Sequence, residues 1–118
     1  MKLPMIALLS LALVIPAFAQ DTGRVYVVTH IDVTPNYSEA TAALLKQFAA
    51  DSRKDPGCVR FEILLQLGRT NHLAVVEVWQ SRDAFEKHKA FDHSKQFREK
   101  LQPMLGSPFD ERLHSLLE

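Results

Sequence analysis

The segment His72–Gln80, HLAVVEVWQ, reads as a β-strand that is mostly apolar on both of its sides. Successive side chains of a strand point to opposite faces. Leu73, Val75, Glu77 and Trp79 therefore fall on one side, and Ala74, Val76 and Val78 on the other. Arg24–Val33, RVYVVTHIDV, is similar, with Val25, Val27, Ile31 and Val33 opposed to Tyr26 and Val28. A strand with one face in water alternates apolar with polar residues instead. A sheet built on these two segments needs cover on both faces.

The remaining segments supply only half of that cover. Thr34-Pro35-Asn36 turns the chain, and Asn36 with Glu39 has the spacing of a capping box at the start of a helix. Apolar residues at 37, 40, 44, 45 and 48 continue that helix until Asp55-Pro56-Gly57 ends it. Val59 to Leu67 alternates as a strand, Gly68-Arg69-Thr70-Asn71 makes a hairpin turn, and His72–Gln80 returns. Ser81 caps a second helix that carries Phe85, His88, Phe97 and Leu101, with a break expected near Phe91-Asp92. Phe109 to Leu117 is a last strand. The order β-α-β-β-α-β predicts an α+β, ferredoxin-like domain with a four-stranded antiparallel sheet. Right-handed crossovers put both helices on one face. A second copy is the economical cover for the other, so a homodimer paired through its sheet faces is expected.

The N-terminus predicts export. Met1-Lys2 is a positive start, Met5 to Ile15 is apolar except for Ser10, and Ala17-Phe18-Ala19 has the small residues that precede cleavage. Residues 1–19 read as a signal peptide and residues 20–118 as the mature domain, periplasmic or secreted. The apolar run is too short to cross a bilayer, which takes about 20 residues. Removing 19 of 118 residues leaves 99 and takes away Lys2, so 13 basic residues face 14 acidic ones. That balance gives no electrostatic reason to expect nucleic acid or a membrane surface as partner. Cys58 is the single cysteine and reads as a small buried hydrophobe, since no zinc or CxxC pattern surrounds it.

Glu77, Trp79, His88 and His93 stand out chemically. Glu77 lies on an otherwise apolar strand side, where desolvation raises a carboxyl pKa toward that of a general base near neutral pH. His88 falls on the inward side of the second helix. His93 follows five residues later, about 140° round an unbroken helix, which is wrong for joint chelation unless the helix breaks between them. His30 shares a strand side with Tyr26 and Val28, and would meet His88 if that side faced the helices. No nucleophile motif, phosphate loop or metal constellation is visible.

Pro56-Gly57-Cys58 before a strand, Glu77-x-Trp79 closing the next, then Ala84-Phe85-x-x-His88, His93 and Phe97 resemble the antibiotic biosynthesis monooxygenase domain. The resemblance runs from about Val25 to Leu117. It implies a ferredoxin-like fold paired into a dimeric α+β barrel. It also implies a monooxygenase that uses no cofactor and no metal and acts on a quinol, anthrone or similar electron-rich aromatic. His88 and His93 would then be base and orienting group, with His30 and Glu77 as further proton acceptors. Trp79, Phe85, Tyr26 and Phe97 would be the substrate-binding walls.

Two alternatives accompany this reading. One is an exported, non-catalytic dimer that binds a small molecule. The other is an isomerase of a small quorum signal, whose branch His88-Lys89, His93, Leu101-x-Pro103-Met104-Leu105 and Pro108 also resemble. Haem-degrading relatives carry Trp where His88 stands and a ligand His where Arg98 stands, so haem degradation is not expected.

Overall fold

The computed structural model describes residues 1–4, 10–12 and 23–118. The expected cleavage point after Ala19 and most of the apolar run before it lie outside the described residues. Four strands, β1 (Val25–Asp32), β2 (Cys58–Leu65), β3 (His72–Trp79) and β4 (Asp110–His114), alternate with α1 (Ser38–Ser52), α2 (Arg82–Ala90) and α3 (Asp92–Leu101). The sheet order is β2-β3-β1-β4, with every neighbouring pair antiparallel. This is the expected ferredoxin-like α+β arrangement, its second helix divided in two. No helix among the described residues is long and apolar enough to cross a membrane.

Cross-strand register sorts the two faces. Val27 pairs with Glu77, Thr29 with Val75 and Ile31 with Leu73, and all six are buried. These rows, with Trp79 and Phe61, lie against the helices. Leu45, Phe48, Ala49, Phe85, Phe97 and Leu101 come down onto them to complete the core. Phe48 stacks on Phe97 with ring centroids 3.9 Å apart and meets Phe61 edge-on at 5.4 Å. Full burial of each such side chain stabilises the fold by about 1.5–3 kcal/mol.

The other face carries the even-numbered residues of β1 and β3. Val28 pairs with Val76, Tyr26 with Val78 and His30 with Ala74. Leu64 of β2 stands beside Ala74. Ion pairs edge this apolar centre: Arg60–Glu62 at 2.7 Å, His72–Asp32 at 2.9 Å and Arg112–Asp110 at 3.0 Å.

Two local expectations change. Asn36 does not cap α1: a 3-10 turn, Pro35–Tyr37, leads into the helix, and the Asn36 carboxamide is bonded by the Thr34 hydroxyl instead. Proline at the start of that turn holds the chain in register for the helix, so a side-chain cap is dispensable. Val59 lies in a bulge between Cys58 and Arg60, so it does not share the inward row of Phe61 and Ile63. The break in the second helix falls where it was expected. Phe91 is extended (φ −67°, ψ 150°); its N–H closes α2 on His88 O, and its carbonyl accepts from Ser94 and Lys95 to open α3.

Candidate functional site

Three segments, one of them some thirty residues before the other two, converge above the buried end of β3. The turn after α1 brings Asp55, α2 brings His88, and the first turn of α3 brings His93. Asp55 Oδ2 lies 2.8 Å from His88 Nδ1 and 2.8 Å from His93 Nε2. Gly57 makes this approach possible. It has a positive φ of 84°, and a Cβ there would lie 2.6 Å from Ala84 Cβ on α2. Ser81 Oγ accepts the Ala84 N–H at 3.0 Å and fixes the start of the same helix. The turn and the helix therefore meet at van der Waals contact.

His88 is 3% exposed and held on every side. Trp79 stacks on it at 4.4 Å, and Phe85, Phe48 and Phe61 surround it at 5.5–6.2 Å. Its Nδ1 is committed to Asp55, so Nε2 is the nitrogen turned toward Glu77, whose Oε1 stands 3.6 Å away. Burial pushes the imidazole pKa below its ordinary value, and the Asp55 carboxylate works against that shift. Neutral imidazole with its proton on Nδ1 is the state this arrangement favours.

Glu77 is as buried as the sequence led one to expect. Desolvation pushes its carboxyl pKa up to about 7; the Trp79 hydrogen bond opposes this, and the Glu111 charge adds to it. Trp79 Nε1 donates to Glu77 Oε1 at 3.0 Å. Beside Glu77 and His88 lies a cavity of about 10 Å³, lined also by Thr29, Ile31, Phe97 and Ser94. That is the space of a single water molecule. Arg98, Glu111 and Phe109 line it further out. Arg98 bonds Glu111 at 2.8 Å and lies over the Phe109 ring. Thr29 Oγ1 is buried and finds no hydrogen-bond partner among the described residues.

The predicted residues thus separate into two groups. His88, His93, Glu77, Trp79, Phe85 and Phe97 come together between helices and sheet. His30 and Tyr26 do not: both lie on the opposite sheet face, where His30 is exposed. The side of β1 that meets the helices carries Val27, Thr29 and Ile31, so His30 and His88 share no cavity. Asp55, Arg98 and Glu111 were missed as site residues. Asp-Pro-Gly reads as a helix stop, and the close Gly57–Ala84 approach that aims Asp55 inward is a tertiary contact. Cys58 is half-buried, its thiol pKa raised by burial and then by the Glu77 and Asp55 charges, which favours the protonated thiol.

The family model for antibiotic biosynthesis monooxygenase matches residues 24–100, well over half of the chain. The chain belongs to the antibiotic biosynthesis monooxygenase family. The matched span holds all of the Asp55–His88–His93 cluster and Glu77. No curated protein matches the chain in sequence. Solved structures share the fold of this family member. Rv0793 of Mycobacterium tuberculosis superposes with a TM-score of 0.76 at 22% identity, over 80% of this chain and 96% of that one. PA3566 of Pseudomonas aeruginosa gives 0.76 at 19% identity, over 83% and 98%. An antibiotic biosynthesis monooxygenase gives 0.76 at 16% identity, over 80% and 99%.

Proposed function

We propose that this protein oxidises a quinol, anthrone or similarly electron-rich aromatic with dioxygen, its own side chains handling the proton. The observation that carries this reading is the Asp55–His88 contact. A buried carboxylate fixes the imidazole tautomer and leaves Nε2 as a base beside a desolvated carboxyl group. Dioxygen in its ground state reacts poorly with ordinary molecules, whereas a deprotonated phenol can donate an electron to it directly. The protein then has to remove a proton and hold the anion away from water. In an anthrone, a CH₂ becomes a carbonyl; one oxygen atom enters the product and the other leaves as water with the two hydrogens. A ring as large as these does not fit a cavity of about 10 Å³. Arg98, paired with Glu111 over the Phe109 ring, lines the outer part of that cavity.

We place the working form in an exported homodimer. The apolar residues left partly or largely uncovered on the open face, Val28, Val76 and Leu64, support pairing with a second copy, and light scattering at micromolar concentration tests it. The leader read over residues 1–19 supports export, and N-terminal sequencing of mature protein tests that.

Oxygen uptake by chelator-treated protein across a panel of quinols and anthrones tests the chemistry. His88→Gln is expected to lower turnover by about 10²–10⁴, the usual loss with a general base, while melting shows the variant folded. A non-catalytic binding dimer gives no uptake with any member of the panel. A core histidine gives activity lost only in proportion to unfolding.

A further inference from the structure

We propose that Asp55, His88 and His93 form a binding site for a divalent transition-metal ion of the zinc class. The inference goes beyond the proposed oxidation and does not depend on it. Asp55 Oδ2, His88 Nδ1 and His93 Nε2 all lie within 4.8 Å of one another. Two imidazole nitrogens and one carboxylate oxygen, with a fourth position left to solvent, make a donor set that zinc accepts in open sites.

Two of the three donor spacings lie within about half an ångström of what an ion needs, and the third, between the two imidazole nitrogens, is no more than 4.8 Å. Tetrahedral bonds of about 2.0–2.1 Å separate neighbouring donors by roughly 3.3 Å. The two contacts to Asp55 are 2.8 Å, so each has to open by about half an ångström on losing its proton. His93 can make that movement. Its side chain is 27% exposed, stacks on Phe91 with ring centroids 5.7 Å apart, and meets Phe48 and His88 only at a tilt, at 6.3 and 6.1 Å. His88 is held by Trp79 and Phe85, so its own contact opens by a shift of the Asp55 carboxylate. One fixed donor and one adjustable donor at the solvent side also give an ion its way in.

A second observation points the same way. A metal-ligating histidine ordinarily gives its other ring N–H to a carboxylate, which orients the ring and strengthens it as a ligand. With an ion on Nδ1, the His88 proton sits on Nε2, and Glu77 Oε1 stands 3.6 Å from that atom. Trp79 Nε1 anchors the same carboxylate. The chain metal–His88–Glu77–Trp79 is already laid out in the fold. Loading would also take Nε2 out of use as a base, so a bound ion would inhibit the proposed oxidation.

Binding is measured without any substrate, which separates this inference from that reading. The chelator-treated chain is titrated with Co²⁺, followed by its d–d absorption, and with Zn²⁺ against a chromophoric chelator. The expected result is one ion per chain with a tetrahedral Co²⁺ spectrum. Asp55→Asn and His93→Ala should each weaken affinity by about 10–100-fold or more, roughly the loss seen when metal-site partners are removed. His93 is partly exposed, so His93→Ala is expected to stay folded, and melting curves verify this. His30→Ala and His72→Ala, on the opposite sheet face, should bind as the parent does. Absence of stoichiometric binding, or binding unchanged in both site variants, overturns the proposal. So does binding abolished by the His30 or His72 change.

Discussion

Asp55 Oδ2 lies 2.8 Å from His88 Nδ1, and both side chains are almost wholly removed from solvent. Such a pair costs most when half of it is taken away, because the remaining buried donor loses its short, charged acceptor and keeps only the Ser94 hydroxyl at 3.5 Å. Asp55→Ala should lower stability by about 1–3 kcal/mol, the cost of stranding a buried polar group. His93→Ala, which breaks the outer contact to the same oxygen, should cost clearly less, since that ring keeps water. Urea unfolding of the two variants, compared with the parent, checks the order.

Glu77 gives the fold a pH dependence whose sign can be worked out. Its carboxyl titrates near 7 when folded and near 4.5 when unfolded. Between those values the native state binds more protons than the unfolded chain, so stability falls as pH rises through the window. The full effect is roughly 3 kcal/mol. His88 works in the opposite sense, because its lowered pKa costs stability as pH falls below its ordinary value. The difference between parent and Glu77→Gln is therefore the quantity to read. The variant should gain on the parent progressively from pH 5 to pH 8. A difference that stays flat over that range would show Glu77 ionised throughout.

Much of the fold was legible before the structure because the physical signals were local. Asp-Pro-Gly, the Gly68–Asn71 turn, the Ser81 cap and the weakness at Phe91-Asp92 each act within a few residues. Glu77 was legible too, as a lone acid in an apolar row. The side of β1 that meets the helices was not. Val27 and Ile31 on one side and Tyr26 and Val28 on the other are both apolar, so the pattern could not tell which side was inside. His30 was grouped with His88 as a candidate partner for that reason. Asp55 escaped because its role depends on a contact between residues 57 and 84.

Thr29 offers a simple test of what the small cavity is for. It is 2% exposed and its hydroxyl has no partner among the described residues, in a row that also holds Val27 and Ile31. Thr29→Val keeps the shape and removes the stranded group, so it should raise stability by about 1 kcal/mol or more. A rise accompanied by loss of turnover marks a hydroxyl kept for ligand or dioxygen at the expense of the core. A fall in stability would show that the hydroxyl is satisfied by an internal water.

Gly57 should tolerate no side chain. Its positive φ disfavours any L-residue by about 1–2 kcal/mol, and the added Cβ collides with Ala84. Gly57→Ala should therefore destabilise by more than the backbone term alone. Adding Ala84→Gly removes the collision and leaves the backbone cost, so the double-mutant cycle should show a favourable coupling. Strictly additive effects would mean that the turn and α2 are not in contact in solution.

The single extended residue at Phe91 has an implication for which length changes this chain can accept in descent from its relatives. In a continuous helix His88 and His93 would diverge by about 140°; the joint lets both rings reach one oxygen atom. One residue gained or lost between them would turn His93 by about 100° and carry it away from Asp55. The hairpin loop between β2 and β3 bears on none of these atoms, and its length can change ahead of Asn71, which is tied to Val33, without moving the cluster. Insertions and deletions among homologues that keep the cluster should therefore collect in that loop and be excluded from the five-residue step between the two histidines.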